Sequence, residues 1–563
     1  MPAHRIPGSP AVAPGRLVRF TFDGREYEGV EGEPLAASLL AAERPMLSRS
    51  FRFHRPRGLM CSTGGCGWCE CEVDGVPSVR SCRVPVREGL VARGEHAWPS
   101  VERDLLSLVG LASRWIPPTF YHHRFLRPRR LRKRYLDVLR WFGGRGRLRV
   151  GDRAPSRGRP TRRLETDVLV VGGGRAGLLA ALGAVDAGAR VVLLEAEREV
   201  GGGWRVETGT DRGPGTAAEL AAGASAAGVE ILAGVAAIGW YDGMVAAIGD
   251  DRHLEIRAGA VVAATGSYDR VPLVPGADRP GVIAARTVTA LIERYGILPG
   301  RQALLVGAGQ ELTTAGERLA RAGASTVVGP VPTASLVSIR GGRRVSGAVT
   351  RHDRKRERHA VDLVVCADRS PNLDLVLAAG ATVERRGDTL MPVSDASGHT
   401  SIPSLFVAGS AAGRPILGAG EADISREAGR AAAVHATGRI GQAEVAGPRQ
   451  PSPAAAASTS ERARPGTSGN GHVRPMRDVA RGAMVCFCED VRAWEIGAEQ
   501  GAGYEDPELI KRRTGALTGP CQGKYCLQSF ACLVGAGAIP TARPPLRPVR
   551  LGDLVASDPE GRA

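Results

Sequence analysis

Eight of the eleven cysteines in this 563-residue chain fall into two groups of four, one toward each end. Cys61, Cys66, Cys69 and Cys82 run C-x4-C-x2-C-x12-C. The first three have the plant-type spacing of a 2Fe-2S centre, in which thiolates hold two irons and hydrogen bonds to sulfur tune the potential. Their loop reads CSTGGCGWC; Gly64, Gly65 and Gly67 let the backbone bend tightly and turn its N–H groups toward the sulfurs. Cys486, Cys488, Cys521 and Cys526 form the second group, C-x-C-x32-C-x4-C. Four thiolates there suit a second 2Fe-2S centre or a tetrahedral structural zinc ion. The iron-sulfur pattern of the first group favours iron.

Local elements must position these sulfurs. LVRFTFDGREYEGVEG alternates on either side of Asp23-Gly24 and reads as a hairpin, followed by a short helix over 34–43. A second hairpin at Asp74-Gly75 would return Cys82 to the other three, which completes a β-grasp ferredoxin pattern. Between the pairs of the second group, helical segments are expected over about 491–500 and 507–513. This unit resembles the small helical 2Fe-2S domain of bacterioferritin-associated ferredoxin. Cys71, Cys366 and Cys532 remain, each read as a small buried residue.

A nucleotide fingerprint lies between the groups. The apolar run 166–171 is followed at once by Gly172, Gly174 and Gly177 in G-x-G-x-x-G order. Those glycines serve the tight turn, the approach of a pyrophosphate and the packing of helix on strand. Glu195 closes the second strand, where a carboxylate accepts from ribose hydroxyls. Thr265 and Gly266 in VVAATGSYDRVPLVPG, and Gly409 in SLFVAGSAAG, resemble the strand-end signatures of the two-dinucleotide fold shared with thioredoxin reductase. In that fold the first unit holds FAD. Ser410 stands where an Asp commonly meets the ribityl or pyrophosphate portion, a departure from that signature, so which dinucleotide is held stays open. A second glycine turn carries Gly307 and Gly309, but Leu312 takes the third glycine position and no acid follows the next strand. It reads as a retained fold without NAD(P) binding. Cys366 alone cannot supply a redox disulfide to this core.

The net charge of +17 is local: 124–163 holds 16 Arg or Lys against two acids, so the remaining chain carries only +3. Such a strip is a solvated linker or a docking surface for an acidic partner, and with no recognition module beside it no nucleic-acid partner is expected. No apolar run reaches the roughly 18–20 residues of a membrane span. The opening segment lacks an apolar signal core, and cysteines arranged as ligands suit a reducing compartment, so a cytoplasmic location is expected.

The expected organisation is a multidomain α/β chain. A β-grasp 2Fe-2S unit occupies 16–95, a basic connector 96–164, and a two-dinucleotide-binding, Rossmann-like core 165–440, with its degenerate second unit at about 286–385. A disordered linker at 441–478, rich in Pro, Ala, Ser and Gly, leads to the helical cysteine domain at 479–540 and a Pro-rich tail.

SRSFRFHRPRG, FYHHRFLRP, ATGSYDRVPLVPG and TGPCQGKYC together resemble the alpha subunit of heterotetrameric sarcosine oxidase and its relatives. Those relatives include hydrogen cyanide synthase, opine oxidase and dye-linked proline dehydrogenase. Retention of the cysteines places the chain nearer the cyanide synthase and opine oxidase type, with the small ferredoxin subunit fused to the flavoprotein subunit. The resemblance implies a hetero-oligomer in which an FAD-containing, amine-oxidase-like beta subunit oxidises an amine or amino acid. Electrons would then pass through an interface flavin, FMN, or a cluster into this chain. It therefore implies an oxidoreductase subunit with two 2Fe-2S clusters at the eight cysteines and a dinucleotide at Gly172, and no catalytic acid, base or nucleophile is assigned. A self-sufficient NAD(P)H-dependent iron-sulfur flavoprotein reductase and a non-catalytic cofactor-binding scaffold are the alternatives.

Overall fold

The computed structural model describes residues 4–7, 9, 15–108, 110, 116–119, 129–143, 159–207, 216–413, 420–438, 479–535, 539–540, 542–549, 551–554 and 556–557. The linker expected at 441–478 lies outside them. So does much of the basic strip, apart from a helix, Arg129–Gly143, and the start of a long strand.

Near the N-terminus a five-stranded mixed sheet has the order Arg25–Val30, Leu17–Phe22, Leu90–Gly94, Glu70–Val73, Val76–Arg80. Asp23 and Gly24 both take positive φ, 49° and 75°, as do Asp74 and Gly75 at 49° and 78°. Two consecutive left-handed residues match the twist of a two-residue hairpin, and Asp-Gly tolerates them. The inward residues Val18, Phe20 and Phe22 bury against Leu35 and Leu39 of the helix Leu35–Ala41.

The central sheet runs Glu230–Ala233, Val191–Glu195, Arg159–Val171, His253–Ala263, Met244–Ile248, Ala236–Tyr241. Leu405–Val407 also pairs with His253–Ala263. The strand that ends at the first glycine turn begins at Arg159, earlier than the apolar run at 166. Its outer half pairs with His253–Ala263 from Thr161 onward while its side chains stay largely exposed, so hydrophobicity did not mark it. Helices Arg175–Asp186 and Glu421–Thr437 cover one face and join its core through Leu178, Ala181 and Ala432. A second parallel sheet, Val282–Ala284, Leu363–Cys366, Gln302–Val306, Thr326–Val331, forms the other Rossmann-like unit.

The C-terminal cysteine unit is a short hairpin, Met484–Cys486 with Val491–Arg492, and helices Ala493–Gly501, Pro507–Thr514 and Leu527–Val534. The middle helix is bounded by local chemistry. Asp506 accepts from the Leu509 amide at 2.8 Å, Pro507 opens the first turn, and Gly515 at φ 74° ends it.

Long-range contacts bring the two cysteine units together. Cys61, Cys66 and Trp68 share a buried core with Phe487, Cys521 and Tyr525, and with Val306 and Val364 of the second Rossmann-like unit. A buried charge lattice ties the same three parts. Arg57 meets Asp278 at 2.6 Å and Asp490 at 2.8 Å, Arg55 meets Asp278 at 2.7 Å, and Arg52 meets Glu495 at 2.5 Å. Burial alone would raise the Asp278 carboxyl, but Arg55 and Arg57 hold it well below the usual carboxylate range.

The Pro-rich tail also returns to the body. The Leu546 amide donates to Ile238 O at 2.8 Å, and Ala556–Ser557 adds a parallel strand beside Arg159 and Pro160. Among the described residues, no helix is long and apolar enough to cross a membrane.

Candidate redox site

In the first cysteine group the loop bends through Ser62, Gly64 and Gly67, all at positive φ. Strand Val76–Arg80 and the turn Ser81–Arg83 bring Cys82 back to it. The four buried thiols resolve into two pairs. Burial raises Cys61, but its contacts with Cys66 and Thr63 outweigh it and favour the thiolate, while burial and the contact with Cys61 push Cys66 up. Cys69 is lowered by its bond with Cys82, and Cys82 is raised by the same bond.

The second group forms a chain of contacts. Cys521 is held low by Cys488 and Cys526, while Cys488 is raised by Cys521, and Cys526 by Cys486 and Cys521. Among the described residues, ligand-type atoms of Glu70, Glu95 and His96 lie within 4.8 Å of one another.

Two buried donors sit between the groups. Trp68 Nε1 has no hydrogen-bond partner, and its ring lies 4.9 Å from that of Phe487. The Tyr525 hydroxyl has no hydrogen-bond partner either. Arg80 joins the groups as well, donating to Gly64 O and, at 3.2 Å, to Pro520 O. Burial disfavours its charge, but Glu70, with the nearby cysteine sulfurs adding to it, more than restores it. Paired sulfurs, a glycine loop and unpartnered donors fit an anionic iron-sulfur group.

The glycine turn at 172–177 opens onto a cavity of about 860 Å³. Gly172 has φ 113°, and a Cβ there would strike Ala264 O. A Cβ on Gly177 would strike Gly172 O, whereas Gly174 meets no atom within 4 Å. The backbone can therefore be approached at Gly174, the N-cap of helix Arg175–Asp186, where the helix dipole and Arg175 favour an anion. Glu195 lines the cavity and accepts from the Gly173 and Glu197 amides, each at 2.8 Å; burial raises its carboxyl and these bonds oppose the shift. Thr265 and Gly266 also line it, held by Asn372, whose amide donates to Gly266 O at 2.9 Å. Gly409 is buried between the lining residues Ala408 and Ser410. An open glycine turn of this size and sign fits a dinucleotide.

The same cavity is bounded by Thr63, Gly64 and Gly65 of the first cysteine loop, by Lys524 beside the second group, and by Leu546–Val549 of the tail. Lys524 pairs with Asp374 at 2.8 Å and donates to Leu546 O at 2.7 Å. These tail residues were not legible as site residues, because PPLRPV has no motif and only its backbone pairing reveals its place. Lys524 had one signal, its place between Cys521 and Cys526.

The second glycine turn differs. Gly307 and Gly309 have φ 114° and 106°, but Leu312 is wholly buried among Ala303, Leu305 and Leu363, and Glu311 in the first helical turn pairs with Arg369 at 2.6 Å. A carboxylate occupies the end of the helix that would otherwise attract phosphate. Cys366 is buried and its thiol is raised by that burial, with Asp368 adding to the shift. Cys71 is buried too, and Cys532 is half-buried against Asp388 O at 3.3 Å.

Fold and site define a multidomain oxidoreductase class in which a 2Fe-2S domain is joined to a two-dinucleotide-binding core. Residues 15–97 match the 2Fe-2S iron-sulfur cluster binding domain family, and 166–328 match the pyridine nucleotide-disulphide oxidoreductase family. The chain is 30% identical to the alpha subunit of sarcosine oxidase from Rhizobium meliloti (strain 1021), over 99% of itself and 59% of that relative. It is 24% identical to an opine oxidase subunit of Agrobacterium tumefaciens (strain Ach5), over 69% of itself and 91% of that relative. The crystal structure of L-proline dehydrogenase from P. horikoshii superposes with a TM-score of 0.69 at 22% identity, covering 98% of this chain and all of that one, which shows a shared fold. The chain is a homologue of these sarcosine oxidase and opine oxidase subunits, with the 2Fe-2S domain at its N-terminal side. It spans between half and six tenths of the length of the two sarcosine oxidase subunits it matches over nearly its whole length.

Proposed function

We propose that this chain is the electron-transfer subunit of an amino-acid or secondary-amine oxidoreductase complex, accepting electrons from an FAD-containing beta subunit. One observation carries the reading: a dinucleotide-sized cavity is walled by the first cysteine loop, and both cysteine groups share one buried core with that loop. A bound flavin takes two electrons and releases them singly, and 2Fe-2S centres carry one at a time.

Cys61 with Cys66, and Cys69 with Cys82, hold the first centre; Cys486, Cys488, Cys521 and Cys526 hold the second. The plant-type spacing of the first group supports 2Fe-2S there, and the buried core that Cys521 shares with Cys61 and Cys66 supports the same at the second. Gly172, Gly174 and Arg175 bind the pyrophosphate, and Glu195 retains lone pairs for a ribose hydroxyl. Thr265, Gly266 and Gly409 shape the strand ends, and Gly177 closes helix against strand. FAD is the occupant this site suits, with NAD or another adenine nucleotide the alternative, and FMN belongs at the interface with the beta subunit. The Glu311–Arg369 pair at the second glycine turn argues against a self-sufficient NAD(P)H reductase. The working boundaries are 16–95, 96–164, 165–440, 441–478 and 479–540, in a cytoplasmic hetero-oligomer.

The test is anaerobic purification with iron, acid-labile sulfide and extracted nucleotide measured per chain, and EPR after dithionite. About four irons and two distinct signals are expected, with reduction of both centres by amine only when the beta subunit is added. Rapid oxidation of proline, sarcosine or glycine by the isolated chain would overturn the assignment, as would bleaching by NADH alone.

A further inference from the structure

Tyr525 touches all three parts of the site. Its neighbours in sequence are Lys524, which lines the cavity, and Cys526 of the second group. It shares one buried core with Cys61 and Cys66 of the first group and Cys521 of the second. The side chain is 7% exposed and lies on the first loop so closely that a Cβ on Gly65 would be 2.7 Å from its oxygen. Its ring is 5.7 Å from that of Tyr268, which lines the cavity and donates to Asp374 at 2.7 Å. No protein atom, sulfur included, accepts from the Tyr525 hydroxyl. A buried phenol without a partner is costly unless a group bound beside it accepts its hydrogen bond.

We propose that Tyr525 is a positioning residue by which the C-terminal cysteine unit sets the reduction potential of the N-terminal centre, its unpartnered hydroxyl donating a hydrogen bond to a sulfur of the iron-sulfur group held on the first cysteine loop. Reduction adds one electron and makes the centre more negative, so a donor to its sulfur stabilises the reduced form and raises the potential. The phenol keeps its proton throughout and is neither oxidised nor reduced. The first centre therefore acquires its working potential only when the C-terminal unit is docked, which ties the two carriers into one relay. This rests on reading Cys61, Cys66, Cys69 and Cys82 as a 2Fe-2S site.

The experiment is a potentiometric EPR titration of the full chain, wild type against Tyr525→Phe, with iron counted in each. Phenylalanine keeps the ring and the packing and removes only the donor. The first centre is expected to shift to lower potential, by about a tenfold change in its oxidised-to-reduced ratio at fixed potential, about 59 mV for one electron. The second centre should move far less. Tyr268→Phe removes a hydroxyl that bonds Asp374 and should leave the first centre's potential in place. Full iron with an unshifted first centre in Tyr525→Phe would overturn the proposal, as would an equal shift in Tyr268→Phe. Should Tyr525→Phe lose iron, Gly65→Ala, which pushes the hydroxyl away from the first cysteine loop, must give the same selective shift or the proposal fails. Wild-type protein without iron at the first group would instead remove the reading beneath it.

Discussion

The two cysteine units reach the same buried core by different routes. The first presents its sulfurs on a glycine loop at the end of a sheet, and that loop is itself a wall of the dinucleotide cavity. The second presents them from a two-stranded hairpin and the approach to a helix, and it reaches the cavity only through Lys524. Its thiols are buried apart from a half-buried Cys488. On the proposed reading the difference gives them an order: the first group would take electrons from a dinucleotide in the cavity, and the second would lie one step farther away. It also gives a dependence, since the second unit is tied to the first through Arg52 and Arg57.

Cysteine substitution breaks this comparison most sharply. Cys66→Ser should remove about half of the iron and the EPR signal of the first centre, and stop electron passage from the cavity to the second. Cys526→Ser should remove the other half and leave the first signal in place. Iron analysis with EPR distinguishes the two variants, and equal loss of both signals in either would collapse the units into one.

The charge lattice comes next. Arg57→Met strands Asp490 in a buried setting while Asp278 keeps Arg55, and removing one partner of such a pair costs about 3–5 kcal/mol. Urea unfolding should show this loss, with the C-terminal unit released before the N-terminal sheet. A single unchanged transition would mean that the lattice does not hold the docking.

Packing at the second group gives a narrower effect. A Cβ on Gly519 would strike the Cys488 Cβ, so Gly519→Ala should lower iron retention at the second centre alone. Comparing the two EPR signals before and after mild chelation measures it. Uniform loss from both centres would contradict the separation.

The smallest effect is the pH dependence of docking. The Asp278 carboxyl lies below its ordinary value of about 3.9. Its contribution is therefore complete above about pH 4 and is lost as pH falls through the folded value. The stability gap between wild type and Asp278→Asn should narrow on acidification below about pH 4. A gap that stays constant from pH 6 down to the acid transition would assign the stability to packing rather than charge.

Much of this was legible along the chain because its signals are local. Asp23-Gly24 and Asp74-Gly75 announce turns by tolerating positive φ, and Asp506-Pro507 with Gly515 bounds a helix. Gly172, Gly174 and Gly177 mark a phosphate-type turn because a side chain at two of them would strike backbone. Leu312 marks the other turn as altered because it must lie between helix and strand. The outer half of strand Arg159–Val171 was missed because its exposed side chains carry no apolar period.

The sequence by itself determined which residue types could hold iron and a dinucleotide, since spacing and backbone tolerance act within a few residues. Only the tertiary structure decided that both cysteine groups meet, that Tyr525 lies on Gly65, and that Leu546–Val549 closes the cavity. The physical reason is range. Arg57 finds Asp278 and Asp490 across more than 200 and 400 residues of chain, and such a pairing is set by burial of the whole core, which leaves no periodic trace at either end.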